Sequence, residues 1–334
     1  MISGAADNCA VLTSPSSGKQ ILKVLNEDRV TNVAFSPDGS WFVTSSDDFR
    51  IRVWDSASGA ERFRFLQDSV VKEVKVSPDA MWIASTGSDR TARVWSAANG
   101  AEMYQIPLDA EGRVLGFSSD TNYLVVGDAE GNLSIWDISS LAMNDGYMRF
   151  DEYVSDIAMS PNGDWLAAAD KGQVWLLDPE LISDQIAPTG KLLYTFASDT
   201  VTDLAVNPKG DSFAVATQAG QVVLMTSQGI TRVITSSGAQ QSLAFSADGS
   251  TLFMAGNNGQ VQSRGITSGE NASIWQGATS VYSIAVSPND QIAIGMDDKV
   301  VLLQSDSSTS ETDLTAPGKN TQVVFNADAS LLAS

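Results

Sequence analysis

Short apolar runs separated by polar turns recur along the chain, and the pattern is clearest over residues 30–66. Between the first two runs, Ser36-Pro37-Asp38-Gly39 has turn chemistry, because proline presets φ and glycine tolerates a positive φ. The third run alternates charged and apolar residues. Short apolar strands joined by tight turns predict an antiparallel meander of four strands. The four predicted strands are Val30–Phe35, Trp41–Thr44, Arg50–Trp54 and Arg62–Leu66.

A two-residue motif, Ser-Pro or a variant of it, marks the turn in each copy of this pattern. The eight anchors are 39 to 47 residues apart. A period of about 40–45 residues with four strands per unit is typical of β-propeller blades. The anchors are Ser36-Pro37, Ser77-Pro78, Ser118-Ser119, Ser160-Pro161, Asn207-Pro208, Ser246-Ala247, Ser287-Pro288 and Asn326-Ala327.

The third strand of several copies ends on tryptophan, at Trp54-Asp55, Trp95-Ser96, Trp136-Asp137 and the less regular Trp175. With the repeat period, this resembles the WD-repeat β-propeller family over essentially the whole chain. The resemblance implies an all-β fold, a single eight-bladed β-propeller with four antiparallel strands per blade. It implies a platform for partners rather than a particular activity.

The two ends of the chain complete one another. Residues 321–334 supply only two strands, and Cys9–Thr13 and Lys19–Leu25 supply the missing third and fourth. Joining the ends gives a spacing of 44 residues, in register with the other copies. We therefore expect one domain, residues 1–334, whose shared blade (320–334 plus 1–29) leaves no open sheet edge. The other blades are expected at about 30–69, 70–112, 113–153, 154–200, 201–238, 239–279 and 280–319.

The charge balance argues against a nucleic-acid partner. Forty acidic residues against 20 basic ones give a net charge of −20, which repels a phosphate backbone. Cys9 is the single cysteine and fits a reducing compartment. No signal-peptide pattern follows Met1, and no apolar run approaches the ~18 residues of a membrane helix. The expectation is a cytoplasmic monomer, either complete or part of a longer protein, with no membrane partner.

The absence of histidine restricts the available chemistry. It excludes a Ser-His-Asp triad, a Cys-His pair and a zinc site built on imidazole. No calcium loop, phosphate-binding glycine loop or nucleophile-elbow motif is present either. We therefore expect no cofactor, no metal and no catalytic activity.

Several residues are expected to be structural. The family commonly joins a histidine, a serine, an aspartate and the tryptophan by hydrogen bonds, and this set cannot be complete here. Asp48 and Asp89, six residues before Trp54 and Trp95, match the family's turn aspartate and are expected to accept backbone amides. The tryptophans expected to pack between blades are Trp54, Trp95, Trp136 and Trp175. The same packing is expected of the second-strand aromatics Trp41, Phe42, Trp82 and Trp165.

The favoured function is a non-catalytic scaffold or sensor that binds a protein or peptide. In a WD-repeat fold, the loops before the first strands and between the second and third strands rim the central channel, the usual docking surface. Aligning the copies on their anchors gives a set rich in acids, which favours a basic ligand. The predicted partner-binding residues are Arg29, Asn32, Glu73, Glu111, Tyr153, Asp156, Thr200, Asp203, Ser283 and Gln322.

Two alternatives remain open. One is a propeller enzyme that uses the central channel, of the hydrolase or lactonase type. Such enzymes need a metal or a histidine cluster, which disfavours this alternative. The other is that the longest insertion, Pro179–Gly190, is the functional element. It is expected on the face opposite the rim, together with the loop Ser139–Gly146.

Overall fold

The computed structural model describes residues 8–139, 146–177, 190–235, 238–297, 299–304, 312–315 and 322–333. The regular elements among them are β-strands, in agreement with the predicted all-β class. No helix in these ranges is long and apolar enough to cross a membrane.

Blades one to four each use four consecutive strands in antiparallel order. Blade one comprises β3 (Val30–Phe35), β4 (Trp41–Ser46), β5 (Arg50–Asp55) and β6 (Glu61–Leu66). Blade two comprises β7 (Val71–Val76), β8 (Trp82–Gly87), β9 (Thr91–Ser96) and β10 (Glu102–Pro107). Blade three comprises β11 (Gly112–Phe117), β12 (Tyr123–Asp128), β13 (Asn132–Asp137) and β14 (Gly146–Arg149). Blade four comprises β15 (Val154–Met159), β16 (Leu166–Asp170), β17 (Gln173–Leu177) and β18 (Lys191–Thr195).

Blades five to seven continue the same arrangement. Blade five comprises β19 (Val201–Val206), β20 (Phe213–Thr217), β21 (Gln221–Thr226) and β22 (Gly229–Thr235). Blade six comprises β23 (Gln240–Phe245), β24 (Thr251–Gly256), β25 (Gln260–Gly265) and β26 (Asn271–Gln276). Blade seven comprises β27 (Ser283–Val286), β28 (Gln291–Gly295), β29 (Lys299–Gln304) and β30 (Thr312–Thr315).

The remaining strands form a composite sheet from both ends of the chain. Its members are β1 (Cys9–Thr13), β2 (Gln20–Leu25), β31 (Val324–Phe325) and β32 (Leu332–Ala333), in the order β2-β1-β32-β31. The predicted pairing of terminal strands is observed, because Leu12 pairs with Ala333 and Thr13 with Leu332.

The number of blades built from consecutive strands differs from the prediction. The described residues form seven such blades, one fewer than the eight expected. The difference arises because the chain begins and ends inside a sheet, so the composite sheet is not a consecutive repeat. The fold is a β-propeller of antiparallel four-stranded blades.

The chain divides into two compact units, residues 1–76 with 241–334 and residues 77–240. In the first unit, Leu12 and Val24 of the composite sheet pack with Phe42 and Trp54 of blade one. In the second unit, a similar core joins blades four and five, and its members include Trp165, Ala167, Phe213 and Val223. Each sheet thus buries its apolar face against a neighbouring sheet of its own unit.

A buried hydroxyl explains why serine recurs at the anchors. Ser36 Oγ accepts the Trp41 N–H (3.1 Å) and donates to Asp38 Oδ1 (2.7 Å). It therefore ties the end of one strand to the start of the next, while Gly39 turns the chain with a φ of 68°. Hydrogen bonds from Ser36 and Ser40 hold the pKa of Asp38 below its usual range. The equivalent hydroxyl accepts the equivalent amide at Ser77, Ser118, Ser160 and Ser246.

Candidate functional site

In blade three, the hairpin between the second and third strands is bonded to the connections on both sides of it. The Ala129 N–H of the hairpin donates to the carbonyl of Glu111, which precedes β11 (2.9 Å), and the N–H of Phe150, which follows β14, donates to the Gly131 carbonyl of the hairpin (2.8 Å). These bonds fix the loops at one end of the blade. We call the following segments of the second unit the rim loops: residues 108–111, 128–131, 150–153 and 170–172.

The rim loops carry exposed acids that lack cationic partners. Asp109, Glu111, Glu130 and Asp151 are exposed, and none makes an ion pair with a described Lys or Arg. The neighbouring Glu152 carboxylate is 3.5 Å from Lys171 Nζ. We call Asp109, Glu111, Glu130 and Asp151 the acidic rim group. Such unpaired carboxylates make the local potential negative.

The corresponding acids of blade one are neutralised within the chain. Glu27 lies 2.7 Å from Arg50 Nη1 and 3.5 Å from Arg52 Nη2. Asp47 accepts from Arg29 Nε at 2.8 Å. Arg29, a predicted partner-binding residue, is therefore exposed but already engaged. The acidic rim group, by contrast, makes no ion pair with a described Lys or Arg.

The first strand of each blade lies at the edge of its sheet, so its outward amides need other partners. At several junctions among the described residues, a side chain of the preceding blade supplies one, as the following three bonds show. Asp156 Oδ2 accepts the Leu204 N–H (2.8 Å), and Gln322 Oε1 accepts the Val33 N–H (3.1 Å). Ser242 Oγ accepts the Ile284 N–H of the next blade at 3.3 Å. All three occupy the same repeat position, four residues before the anchor, and we call them the junction latches.

Asp156 and Gln322 belong to the predicted partner-binding set, and the latches give them a structural role. Two other members at the same repeat position make no such bond. Ser283 is 8% exposed, and its Oγ has no hydrogen-bond partner among the described residues. Asn32 Oδ1 is also buried and without a described partner. The side chain at this repeat position therefore bonds to the next blade in some blades and not in others.

The remaining predicted members are spread over the loops and first strands. Glu73 on β7 pairs with Lys75 at 2.8 Å, and Asp203 is half-buried on β19. The Tyr153 ring lies 4.5 Å from the Arg113 guanidinium carbon, a cation–π contact that holds both side chains. Glu111 Oε2 accepts from Ser88 Oγ at 3.3 Å.

Thr200 is half-buried and held through its backbone. Its N–H donates to Asp199 Oδ1 (2.8 Å), and its carbonyl accepts the Gln218 N–H (2.8 Å). Of the ten predicted residues, Glu111 and Tyr153 lie in the rim loops. Their binding role stays a prediction.

Blade one contains a buried ion pair that is connected to the Trp54 indole by hydrogen bonds. Trp54 Nε1 donates to Thr44 Oγ1 (2.9 Å), which in turn donates to Asn26 Oδ1 (3.0 Å). Arg52 Nη1 reaches the same Asn26 oxygen at 3.2 Å, and its Nη2 lies 2.7 Å from Asp48 Oδ2. Arg52 and Asn26 thus link the Trp54 indole, through Thr44, to the Asp48 carboxylate.

The environment of Asp48 keeps it ionised. Its side chain is 7% exposed and that of Arg52 is 2% exposed. Burial alone would raise the pKa of Asp48, but hydrogen bonds from Arg52 and from the Arg50 amide lower it below the usual 3.8. Asp48 Oδ1 also accepts the Arg50 N–H (2.9 Å), the amide bonding expected of it.

Blade two repeats this arrangement with longer distances. Asp89 Oδ1 accepts the Thr91 N–H (3.1 Å), and Asp89 Oδ2 lies 3.4 Å from Arg93 Nη2. Trp95 Nε1 donates to Ser85 Oγ at 3.1 Å.

The predicted structural tryptophans differ in burial. Trp54 and Trp95 are buried, whereas Trp136 and Trp175 are only half-buried. Both half-buried rings still pack against the cores between blades. Trp136 Nε1 donates to Ser134 Oγ at 3.0 Å.

A buried acid lies at the base of the blade four rim loops. Asp170 is 2% exposed, and its Oδ1 accepts the amides of Gly172 (3.2 Å) and Gln173 (2.7 Å). Burial raises the pKa of Asp170, and the nearby carboxylates of Asp151 and Glu152 raise it further. The negative potential of these loops therefore extends into the blade.

Sequence reasoning missed the buried arginines and the latches. A signal for Arg52 and Arg93 was present, because each lies two residues before a repeat tryptophan and four after a turn aspartate. The latches offered no such signal, since their partner is the backbone of another blade. Within the described ranges, no group of three or more potential ligand side chains is arranged to hold a metal.

The blades and their repeated serine turn define a repeat-built β-propeller. The WD40 family model, described as WD domain, G-beta repeat, matches residues 19–55, 64–96 and 146–178. Each match begins in the outer strand of one sheet and runs through three strands of the next. These matches and the β-propeller fold are consistent with the WD-repeat β-propeller family, as the sequence predicted. A comparison with curated proteins gave no match.

Proposed function

We propose that this chain is a non-catalytic protein-interaction scaffold or sensor that binds a basic peptide or protein segment at its rim loops. The observation that carries the proposal is the acidic rim group: four exposed acids on bonded loops, without described ion pairs. WD40 propellers are typically interaction scaffolds and commonly bind proteins or peptides.

The loops suit this role because they are held in place before a partner arrives. Loops ordered by backbone hydrogen bonds lose less conformational entropy on binding than free ones. Their charge would attract a basic partner at long range, and salt would screen that attraction. The partner is therefore expected to associate more slowly as ionic strength rises.

The proposal also takes residues 1–334 as a single domain, with the composite sheet shared between the two ends of the chain. Pairing of β1 with β32 supports this, since it joins the two ends of the chain within one sheet. The chain would act as a monomer in the cytoplasm, alone or within a longer protein.

A fluorescence-anisotropy titration tests the docking proposal with a labelled ten-residue peptide of alternating lysine and serine. The variant Glu111→Gln/Glu130→Gln removes two charges of the acidic rim group. Exposed ion pairs contribute about 0.2–1 kcal/mol each, so binding should weaken roughly fivefold. The matched control, Asp79→Asn/Glu270→Gln, removes two exposed acids that lie outside the rim loops.

The control should bind the peptide like the unmodified chain, although its net charge changes equally. Equal weakening in both variants would show that only the overall charge attracts the peptide. That result would contradict docking at the rim loops.

A further inference from the structure

A cleft of about 440 Å³ lies between blades four and five, at the ends of these blades where the anchors lie. It is separate from the rim loops, which lie at the opposite ends of the strands. Three of its lining residues come from blade five and the others from blade four. The lining residues are Asp164, Trp165, Leu176, Leu177, Lys191, Gly210, Asp211 and Ser227.

Two hydrogen bonds across the junction hold the walls of the cleft together. Trp165 Nε1 donates to the Gly210 carbonyl at 3.0 Å. Lys191 Nζ donates to the Ser227 carbonyl at 3.3 Å. Trp165 is also packed against Phe213, with ring centroids 5.2 Å apart. The cleft is therefore bounded by fixed contacts between the two blades.

The chemistry of the lining combines an apolar floor with exposed carboxylates. Trp165 and Leu177 are buried, and Leu176 is half-buried. Asp164 from blade four and Asp211 from blade five are both exposed. One oxygen of Asp164 accepts from the Asn162 amide, and one oxygen of Asp211 accepts from Ser212 Oγ (2.7 Å). The other oxygen of each carboxylate has no described hydrogen bond and can accept from a ligand.

Apolar side chains are also exposed beside the cleft. Leu192 follows the lining residue Lys191 and is 44% exposed, and Ile230 follows Ser227 by three residues and is 40% exposed. They lie on β18 and β22, outer strands that contact each other. Exposed apolar residues next to a polar cleft are typical of recognition sites.

We propose that this cleft binds the side chain of an arginine in a partner peptide, with an apolar residue next to it. The guanidinium lies between the carboxylates of Asp164 and Asp211, and its aliphatic stem packs on Leu176. The neighbouring apolar residue packs on Leu192 and Ile230. Arginine suits the cleft because its planar group can donate to two carboxylates at once. The one ammonium group among the described lining residues, that of Lys191, already donates to the Ser227 carbonyl. The carboxylates of Asp164 and Asp211 outnumber it, so the net charge of these lining residues is negative.

Fluorescence anisotropy with a labelled heptapeptide tests the proposal directly. The probe carries one arginine followed by two leucines, between glycine and serine residues. A second probe replaces arginine with citrulline, which has nearly the same shape but no charge. Hydrogen bonds to charged groups contribute about 1.5–3 kcal/mol, so the citrulline probe should bind at least about tenfold more weakly.

The variant Asp164→Asn/Asp211→Asn should weaken the arginine probe by a similar factor. Both residues are exposed and asparagine keeps an acceptor oxygen, so the fold should persist, as circular dichroism would verify. Asp79→Asn/Glu270→Gln removes two exposed acids that lie in neither the cleft nor the rim loops, and this matched control should leave binding of the probe unchanged. Because the cleft variant and the rim-loop variant are expected to weaken different probes, failure of this proposal is distinguishable from failure of docking at the rim loops.

Three results would overturn the proposal. They are absence of binding at millimolar peptide, equal binding of the citrulline probe, and equal weakening by the rim-loop variant. Raised salt provides a further readout. The apolar contacts should preserve more of the binding to the cleft than of the lysine–serine peptide's binding to the rim loops.

Discussion

Removal of the buried guanidinium of blade one should strongly destabilise the protein. Arg52 is 2% exposed and Asp48 is 7% exposed, with 2.7 Å between Nη2 and Oδ2. In Arg52→Met the carboxylate keeps its backbone donors and a longer contact with Arg50 Nη1 (3.9 Å), but it loses its closest and most buried cation. Loss of one partner of a buried ion pair costs about 3–5 kcal/mol, because an uncompensated charge stays buried. We expect Arg52→Met to lower the free energy of unfolding by that amount.

Urea denaturation followed by circular dichroism measures this change, and Arg64→Met provides a matched control. Arg64 lies in the same blade and is also an ion-pairing arginine, but its side chain is 49% exposed. Exposed pairs contribute about 0.2–1 kcal/mol, so the control should lose little stability.

The double variant Arg52→Met/Asp48→Asn separates the ion pair from the packing of the arginine. Asparagine keeps an acceptor for the hairpin amides and removes the buried charge, so the two changes should cost less together than the sum of the single changes. An additive result, or an Arg52→Met cost no larger than that of Arg64→Met, would refute the proposed role of the pair.

The effect of Arg52→Met should also depend on pH. The folded-state pKa of Asp48 is below its usual 3.8, so the stabilising contribution of its ionised form is present above pH 3.8. It is lost as the pH falls through the folded-state pKa. The difference between Arg52→Met and the unmodified chain should therefore shrink below pH 3.8.

Four further predictions concern the blades. Asp170→Asn should raise the melting temperature at pH 7 and not at pH 3, because a raised pKa means that the ionised carboxylate destabilises the fold as pH rises; an equal shift at both pH values would contradict this. Asp156→Ala should cost about 1–3 kcal/mol in urea denaturation, since it leaves the Leu204 N–H unpaired, whereas Asp156→Asn should be nearly neutral; similar losses would disprove the latch. Trp54→Ala should cost about 3–5 kcal/mol through the cavity it leaves, and deletion of residues 1–25 should lower the melting temperature sharply; an unchanged melting curve would disprove closure by both termini.

The sequence predicted the elements whose causes are local. The anchor turn was predictable because Ser36, Pro37 and Gly39 determine the backbone over four residues. The composite sheet was predictable because the terminal strands keep the register of the repeat. Within the described residues there are eight four-stranded sheets, one for each predicted copy. Only seven of these sheets are blades built from consecutive strands.

The candidate site was harder to predict because its chemistry depends on neighbouring elements. Asp156 looked like a free rim acid, yet its carboxylate accepts an amide from the next blade. Glu27 and Glu111 are both acids in loops before first strands, and only packing shows that Glu27 is neutralised by arginines. The insertion Pro179–Gly190 lies outside the described residues except for Gly190, so its proposed role stays a prediction.

Hydrogen–deuterium exchange of the chain with and without a bound basic partner tests the central claim most directly. The lysine–serine peptide at saturating concentration is the first probe, and any partner found later can replace it. The account predicts slower exchange in residues 108–111, 128–131 and 150–153, with no change around the anchors. Protection confined to the turns at 160–165 and 207–212 would contradict docking at the rim loops.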